Sequence, residues 1–325
     1  MSSKVKWGVL GYARIARTSV IPALNHTANS EFYALASEDQ AKLDECRSQF
    51  NCGKLYDTYE GLLDDPQVQA VYIPLPNSLH KEWAVKAMNK GKHVLCEKPL
   101  ALTAAECEEM IAAAAKNRVL LMEAFMYRYT DRTAKVRQIL ADGEIGAIRY
   151  INSTFRFCLD RANNIRNKLE LGGGSLYDVG CYPVNFLGMV TGKLPKSYVV
   201  ECALENGVDV IFSAVLRYSD GVIATINSGF NSFREMRSEV IGTKGRLEIP
   251  DTFMGEAGSL NVVTAGGTRQ VQVAESDRYA LEVADFAGAV LEGRRPMLSL
   301  DESLRNMRLI EGLMELAHKK QYLGY

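Results

Sequence analysis

The sequence predicts an α/β protein: a doubly wound parallel sheet at the N-terminus, then an α+β domain with a large, open, mainly antiparallel sheet. Three observations carry this. Short apolar strands alternate with helical patterns from residue 4 to about 123. The first of these units is a strand, a tight turn and a helix. After residue 124, long β-rich runs follow one another through turn sequences too short for crossover connections.

Lys4–Leu10 has the pattern of a buried strand and runs into Gly11-Tyr12-Ala13-Arg14-Ile15-Ala16. Apolar positions then recur at helical spacing through Leu24. Gly11 permits the turn, Ala13 lets backbone approach a pyrophosphate, and Ala16 allows close helix–strand packing. The helix N-terminus offers N–H groups to phosphates, so Gly11, Tyr12, Ala13, Arg14 and Ile15 are candidate cofactor contacts. Two of the three glycines of the usual fingerprint are alanines, and small residues of this kind also serve packing alone.

The second strand, Phe32–Ala36, ends at Ser37-Glu38. An acidic residue here chelates ribose hydroxyls and favours NAD, whereas a basic one accommodates the NADP phosphate. Ser37 suits a phosphate, Glu38 repels one, and Lys42, a helical turn on, attracts one; NADP is favoured over NAD. Val71-Tyr72-Ile73 is the next strand and ends in Pro74-Leu75-Pro76-Asn77, followed by a helix with His80. Lys92–Glu97 is a strand that Pro99 forbids from continuing, which delivers Lys98 to the edge where open α/β sheets bind ligands. Thr103-Ala-Ala-Glu106 is a capping box that opens a helix to about Lys116, and Val119–Glu123 is a further strand.

The second half begins with a helix over Thr133–Ala141. The β-rich runs are Ile148–Leu159, Ser197–Leu204, Val208–Tyr218, Val222–Phe230, Glu239–Ile249, Leu260–Thr264 and Gln270–Ala274. Turn sequences such as Glu205-Asn206-Gly207 and Ser219-Asp220-Gly221 join them. A glycine-rich loop, Leu171–Gly174, precedes an apolar helix from Ser175 to about Val190, on which Asp178 and Tyr182 stand four apart. Two helices close the chain, Arg278–Leu291 and Ser299–Lys319. The domains are expected at 1–123 and 124–325. Apolar residues on both faces of Val210-Ile-Phe-Ser-Ala-Val-Leu suggest that a second subunit covers the open sheet, giving a homodimer or homotetramer.

Bulk properties set outer limits. The 325 residues are 47% hydrophobic and 24% charged, with a net charge of -1, which gives no electrostatic reason to expect nucleic acid or an anionic membrane. No apolar stretch approaches the ~20 residues of a membrane span, and the N-terminus leaves no room for a signal peptide, so a cytoplasmic protein is expected. The seven cysteines form no CxxC pair and the four histidines are dispersed, so neither a disulfide framework nor a metal site is indicated.

Glu97-Lys98-Pro99, the Gly11-x-Ala13-x-Ile15-Ala16 turn and Pro76-Asn77-Ser78-Leu79-His80 resemble motifs of the glucose-fructose oxidoreductase/inositol dehydrogenase/MocA (Gfo/Idh/MocA) oxidoreductases. Gly172-Gly-Gly-Ser-Leu-Tyr-Asp178-Val-Gly180-Cys-Tyr182 is similar to the signature of that family's second domain, and the likeness covers nearly the whole chain. Tyr182 stands where many members carry histidine. With Glu123-Ala-Phe-Met-Tyr-Arg128 and Asn164-Ile-Arg166 it resembles the subgroup of NADP-dependent D-xylose dehydrogenases, dimeric dihydrodiol dehydrogenases and nucleotide-ketosugar reductases. The resemblance implies a Rossmann domain, an open antiparallel sheet and a cis peptide at Pro99.

It also implies hydride transfer between nicotinamide and a carbinol or carbonyl carbon of a sugar or related polyol. Lys98 would hydrogen-bond the substrate oxygen and stabilise developing alkoxide, with Tyr182 as the proton-transfer group. Asp178 would orient substrate hydroxyls or Lys98, and Tyr127, Arg128 and Arg166 would line the pocket. Pro74, Leu75, Asn77, His80 and Glu97 fall on the cofactor side, with Glu97 at the ribose or amide. A ketosugar reductase and a trans-dihydrodiol dehydrogenase stand beside this reading. A non-catalytic, nucleotide-sensing regulator is the reading from a different class.

Overall fold

The computed structural model describes residues 4–159 and 164–322, with side chains to 319. The chain forms two compact units: one runs to Met126 and takes in Arg278–Leu304, and the other comprises Tyr127–Asp277 and the chain from Arg305. A single division after residue 123 was expected. Instead, a late helix groups with the first unit.

In the first unit β1 (Val5–Leu10), β2 (Ser30–Ala36), β3 (Lys54–Tyr56), β4 (Ala70–Ile73), β5 (His93–Glu97) and β6 (Leu121–Ala124) form one sheet in the order β3-β2-β1-β4-β5-β6. Every pair in it is parallel. Parallel strands buried on both faces read as near-continuous apolar runs, as β4 (Ala-Val-Tyr-Ile, wholly buried) does. The helices are α1 (Ile21–His26), α2 (Gln40–Gln49), α3 (Tyr59–Leu63), α4 (His80–Asn89) and α5 (Ala104–Asn117). A π-helical turn, Ala16–Val20, leads into α1. Thr103 caps α5 by accepting the Glu106 N–H at 3.1 Å, and the Glu106 carboxylate accepts that of Leu102 at 3.0 Å.

The second unit opens with α6 (Asp131–Ala141) and β7 (Ile148–Cys158); a π-helical turn, Leu176–Gly180, then leads into α7 (Cys181–Thr191). Next come β8 (Ser197–Glu205), β9 (Val208–Arg217), β10 (Ile223–Gly229), β11 (Asn231–Gly242), β12 (Gly245–Pro250), β13 (Gly258–Thr264) and β14 (Gly267–Val273). The sheet order is β14-β13-β12-β11-β7-β10-β9-β8. All its pairs are antiparallel except β7 with β10, which are parallel. A turn, a helix and two strands separate those two in sequence, so no tight hairpin fixes their relative direction. β11 begins eight residues before the expected run at Glu239, because its first half, Asn231–Arg237, is polar and lacks the apolar alternation that marks a strand.

The chain closes with α8 (Arg278–Glu292) and α9 (Leu300–Tyr322). α8 belongs to the first unit, where Phe286 lies 5.5 Å from the fully buried Trp7 and Asn29 donates to the Ala284 carbonyl at 2.9 Å. Ser299 and Glu302 form the capping box of α9, each accepting the other's backbone N–H at 3.3 Å.

On β9, Phe212, Ala214 and Leu216 point into the core, while Ile211 and Val215 are 37% and 45% exposed. The register places Val199, Val215, Thr225, Asn152, Glu239 and Glu248 in one row across the open face. That face is apolar toward β8 and charged toward β12.

Candidate active site

Strand order in the first sheet reverses between β1 and β4, the point at which open α/β sheets form a crevice for nucleotides. Gly11, at the end of β1, has φ +97° and donates its N–H to the Ala36 carbonyl at 2.8 Å. A Cβ there would lie 3.0 Å from the Leu75 side chain, just past β4, so only glycine keeps that space clear. Ala13, Arg14 and Ile15 lead into the π-helical turn, and Arg17 donates its N–H to the Ala13 carbonyl. Tyr12 is buried and donates to Gln49 Oε1 at 2.8 Å; burial raises its phenol to about 12.

At the tip of β2, the buried Ser37 hydroxyl accepts the Asp39 N–H at 3.2 Å. Glu38 is exposed, and Lys42 lies 3.9 Å from Asp39. Asp39, which the sequence reading passed over, caps α2 by accepting the Ala41 N–H at 3.0 Å. Lys42 therefore meets a neighbouring carboxylate.

β5 ends in the Lys98 turn, whose Lys98–Pro99 peptide is cis. Glu97 accepts the Tyr72 hydroxyl at 2.6 Å and the Lys98 N–H at 3.3 Å, so its carboxylate serves the turn itself. Leu100 donates its N–H to Glu123 Oε1 at 2.9 Å. His80, wholly buried, has Nδ1 2.9 Å from the Pro99 carbonyl and Nε2 2.9 Å from the Leu75 carbonyl. Two carbonyl neighbours favour the imidazolium, but burial outweighs them and pushes the ring down to about 4. It is therefore neutral at pH 7 and donates to one carbonyl at a time. His80 thus links the segments after β4 and β5.

Burial also raises Glu123 to about 7, with Ser303, the Leu100 N–H and Lys98 pulling it down. Glu282 on α8 is pushed well above the carboxylate range by burial and then by Glu97, and Tyr72 well above the phenol range by burial. Lys98 therefore lies within electrostatic reach of the buried Glu123. Glu123, Tyr72 and Glu282 escaped functional notice in the sequence because each is a single polar residue in an apolar strand or an amphipathic helix.

In the second unit, Arg166 Nε donates to Asp178 Oδ2 at 2.5 Å, and Asn164 Oδ1 accepts the Arg166 N–H at 3.1 Å. Gly174 donates its N–H to the Arg166 carbonyl at 2.9 Å, and a Cβ on Gly173 would lie 2.4 Å from that oxygen. The glycine loop is thus what holds Arg166 against the helix. Asp178 lies in the π-helical turn, so the spacing of four to Tyr182 does not stack the two as in a regular α-helix. Tyr182 is 5% exposed and packs among Tyr127, Phe155 and Phe253 at centroid distances of 6.0, 5.2 and 5.4 Å.

Tyr127 and Arg128, expected to line the pocket, are buried. Tyr127 donates to Asn185 Oδ1 at 2.5 Å and Arg128 to the same oxygen at 3.2 Å. Asp209 was also missed: wholly buried, it accepts the Ser175 hydroxyl at 2.6 Å and the Leu176 N–H at 2.8 Å. Burial raises its pKa to about 6. Among the described residues, no group of three or more His, Cys, Asp or Glu could hold a metal, and no helix is long and apolar enough to cross a membrane.

Residues 5–125 match the GFO/IDH/MocA oxidoreductase family, NAD-binding Rossmann fold, and residues 133–248 match the GFO/IDH/MocA C-terminal domain. The chain belongs to the GFO/IDH/MocA family. It is an oxidoreductase with a nicotinamide-dinucleotide-binding N-terminal sheet. It is 37% identical to a D-xylose 1-dehydrogenase (NADP(+)) of Haloferax volcanii over 96% of this chain and 97% of the relative. It is 34% identical to a trans-1,2-dihydrobenzene-1,2-diol dehydrogenase of Xenopus tropicalis, over 92% and 93%. A 3-ketoreductase of Actinomadura kijaniata, solved with NADP and TDP-benzene, superimposes with TM-score 0.91 at 31% identity, covering 96% of this chain and 98% of that one.

Proposed function

We propose that this GFO/IDH/MocA protein is an NADP-preferring dehydrogenase that transfers a hydride between nicotinamide and a carbinol or carbonyl carbon of a sugar or related polyol. The observation that carries the reading is the Lys98 turn. Lys98 follows the last residue of β5 at the carboxyl edge of a parallel sheet, one strand from the crevice that Gly11 keeps clear. Those residues fit a dinucleotide. The turn from Gly11 to Ile15 takes its pyrophosphate, and Ser37 and Lys42 take the adenosine-side phosphate of NADP. The names of the xylose dehydrogenase and the ketoreductase support NADP as well.

When bound, the dinucleotide supplies the hydride chemistry. Lys98 hydrogen-bonds the substrate oxygen and stabilises negative charge as it develops there. Tyr182 Oη takes the proton from that oxygen during oxidation and returns it during reduction. A free phenol, near pKa ~10, is a weak base at neutral pH, and a neighbouring ammonium favours the phenolate. Asp178 fixes the Arg166 guanidinium, whose other N–H groups suit substrate hydroxyls.

The test is Tyr182→Phe. Turnover with the best of an aldose, inositol and dihydrodiol panel should fall about 10²-fold or more while the NADP Kd stays within a factor of about two. Normal turnover by the variant would remove the tyrosine from the proton step.

A nucleotide-ketosugar reductase is the second reading, supported by the likeness at 31% identity to the ketoreductase solved with TDP-benzene. Calorimetry with TDP and TDP-sugars separates the two, because only this second reading expects binding. The exposed apolar residues on the open sheet also support a homo-oligomer joined through that face.

A further inference from the structure

We propose that Glu123 is a positioning residue for Lys98: with His80 it holds both polar atoms of the Pro99–Leu100 peptide unit and so fixes the turn that presents the amine. The inference rests on the dehydrogenase reading above, which gives Lys98 its task. The oxygen of that unit, Pro99 O, lies 2.9 Å from His80 Nδ1, and its nitrogen, Leu100 N, donates to Glu123 Oε1 at 2.9 Å. The two side chains come from different elements, α4 and β6, and each is nearly or wholly buried. The strand register sets Cys96 beside Glu123, so the carboxylate lies alongside the end of β5, two residues before Lys98.

A neutral acceptor would satisfy a single backbone N–H at a lower desolvation cost than a carboxylate. Here the second oxygen, Oε2, is buried, and the Ser303 hydroxyl is the polar group beside the carboxyl. An ionisable carboxyl at a position where an amide would serve the N–H points to a use for its charge. The titratable and polar groups facing it are Glu97 and Cys96 from β5, Lys98 from the turn and Ser303 from α9, and Lys98 is the cation among them. With its pKa raised to about 7, Glu123 exchanges between acid and carboxylate across neutral pH. The carboxylate form grips the Leu100 N–H more strongly and stabilises the Lys98 ammonium. Turnover should therefore carry an inflection near pH 7 that belongs to Glu123.

The experiment compares Glu123→Leu with Glu123→Gln. Leucine leaves the Leu100 N–H without a partner and should lower kcat about 10²-fold with the NADP Kd unchanged. Glutamine keeps an acceptor oxygen but no charge. It should recover most of the turnover and lose the inflection near pH 7. The second readout is independent of activity: the titration of the Lys98 amine, followed by NMR on lysine-labelled protein and assigned with Lys98→Met. Its pKa should fall by about one in Glu123→Gln.

A Glu123→Gln protein that keeps the wild-type pH profile and Lys98 titration overturns the proposal. So does a folded Glu123→Leu protein with wild-type kcat. If leucine prevents folding, the glutamine variant decides alone. If the wild-type protein oxidises or reduces no substrate, the dehydrogenase reading has failed, and the Lys98 titration still tests Glu123.

Discussion

Asp209 is wholly buried beneath the turn that carries Asp178, holding Ser175 and the Leu176 N–H on one oxygen. Burial raises its pKa from the ordinary ~3.9 to about 6. The folded protein therefore binds this proton more tightly than the unfolded chain does. The stability Asp209 contributes is present below pH ~3.9 and is lost as pH rises through 6, a loss of about 3 kcal/mol by pH 7. Asp209→Asn cannot titrate. In urea unfolding at pH 4, 5, 6 and 7, its stability relative to wild type should rise with pH by up to that amount, and a constant difference would refute the assignment. His80 acts with the opposite sign: its folded pKa of about 4 gives stability above pH ~6.5 that is lost on acidification. At this scale the sequence singled out Lys98 by the proline that stops its strand and Tyr182 by the glycine loop that precedes its helix. It gave Glu123 no role beyond its place in the Glu123–Arg128 motif and was silent about Asp209, because a lone acid in a strand gives no sign of whether it faces water or a backbone N–H.

Among elements, the β1–Gly11–α1 segment was readable because an apolar run, a small-residue turn and a helical period occur in succession. The same segment gives a sharp test. Gly11→Val adds a branched side chain at φ +97°, where its Cβ would stand 3.0 Å from Leu75. The variant should lose at least about 10-fold in NADP affinity by fluorescence titration while its far-ultraviolet circular dichroism stays that of the wild type. Unaltered affinity would place the pyrophosphate elsewhere. The π-helical turns at Ala16–Val20 and Leu176–Gly180 were not foreseen, since a reading tuned to 3.6 residues per turn assigns both stretches to ordinary helix. Each leads into a helix adjoining candidate site residues, and in the second the consequence falls on the Asp178–Tyr182 pair.

For the molecule as a whole, alternation on β9 announced a sheet with apolar residues on both sides. The row from Val199 to Glu248 shows how unevenly that open face is composed. Val199 is 60% exposed and pairs with Val215 in the ladder, which makes their edge of the sheet the part to disrupt. Val199→Lys with Val215→Lys should convert an oligomer, measured by light scattering, to monomer with little loss of Tm, since neither side chain is in the core. A wild-type protein that is already monomeric would sink the assembly proposal. Composition could not reveal that α8, more than 150 residues after β6, returns to the first unit, because an amphipathic helix carries no address for the surface it will cover.

That return has a practical consequence for anyone who would work with the nucleotide-binding half by itself. A gene stopped at codon 126 would leave the indole of Trp7 without Phe286 and the amide of Asn29 without its carbonyl acceptor. The half-protein should be made as a permuted chain, with 278–304 spliced on through a flexible bridge. In that form the Trp7 emission would serve as a built-in gauge of whether the missing helix has come home.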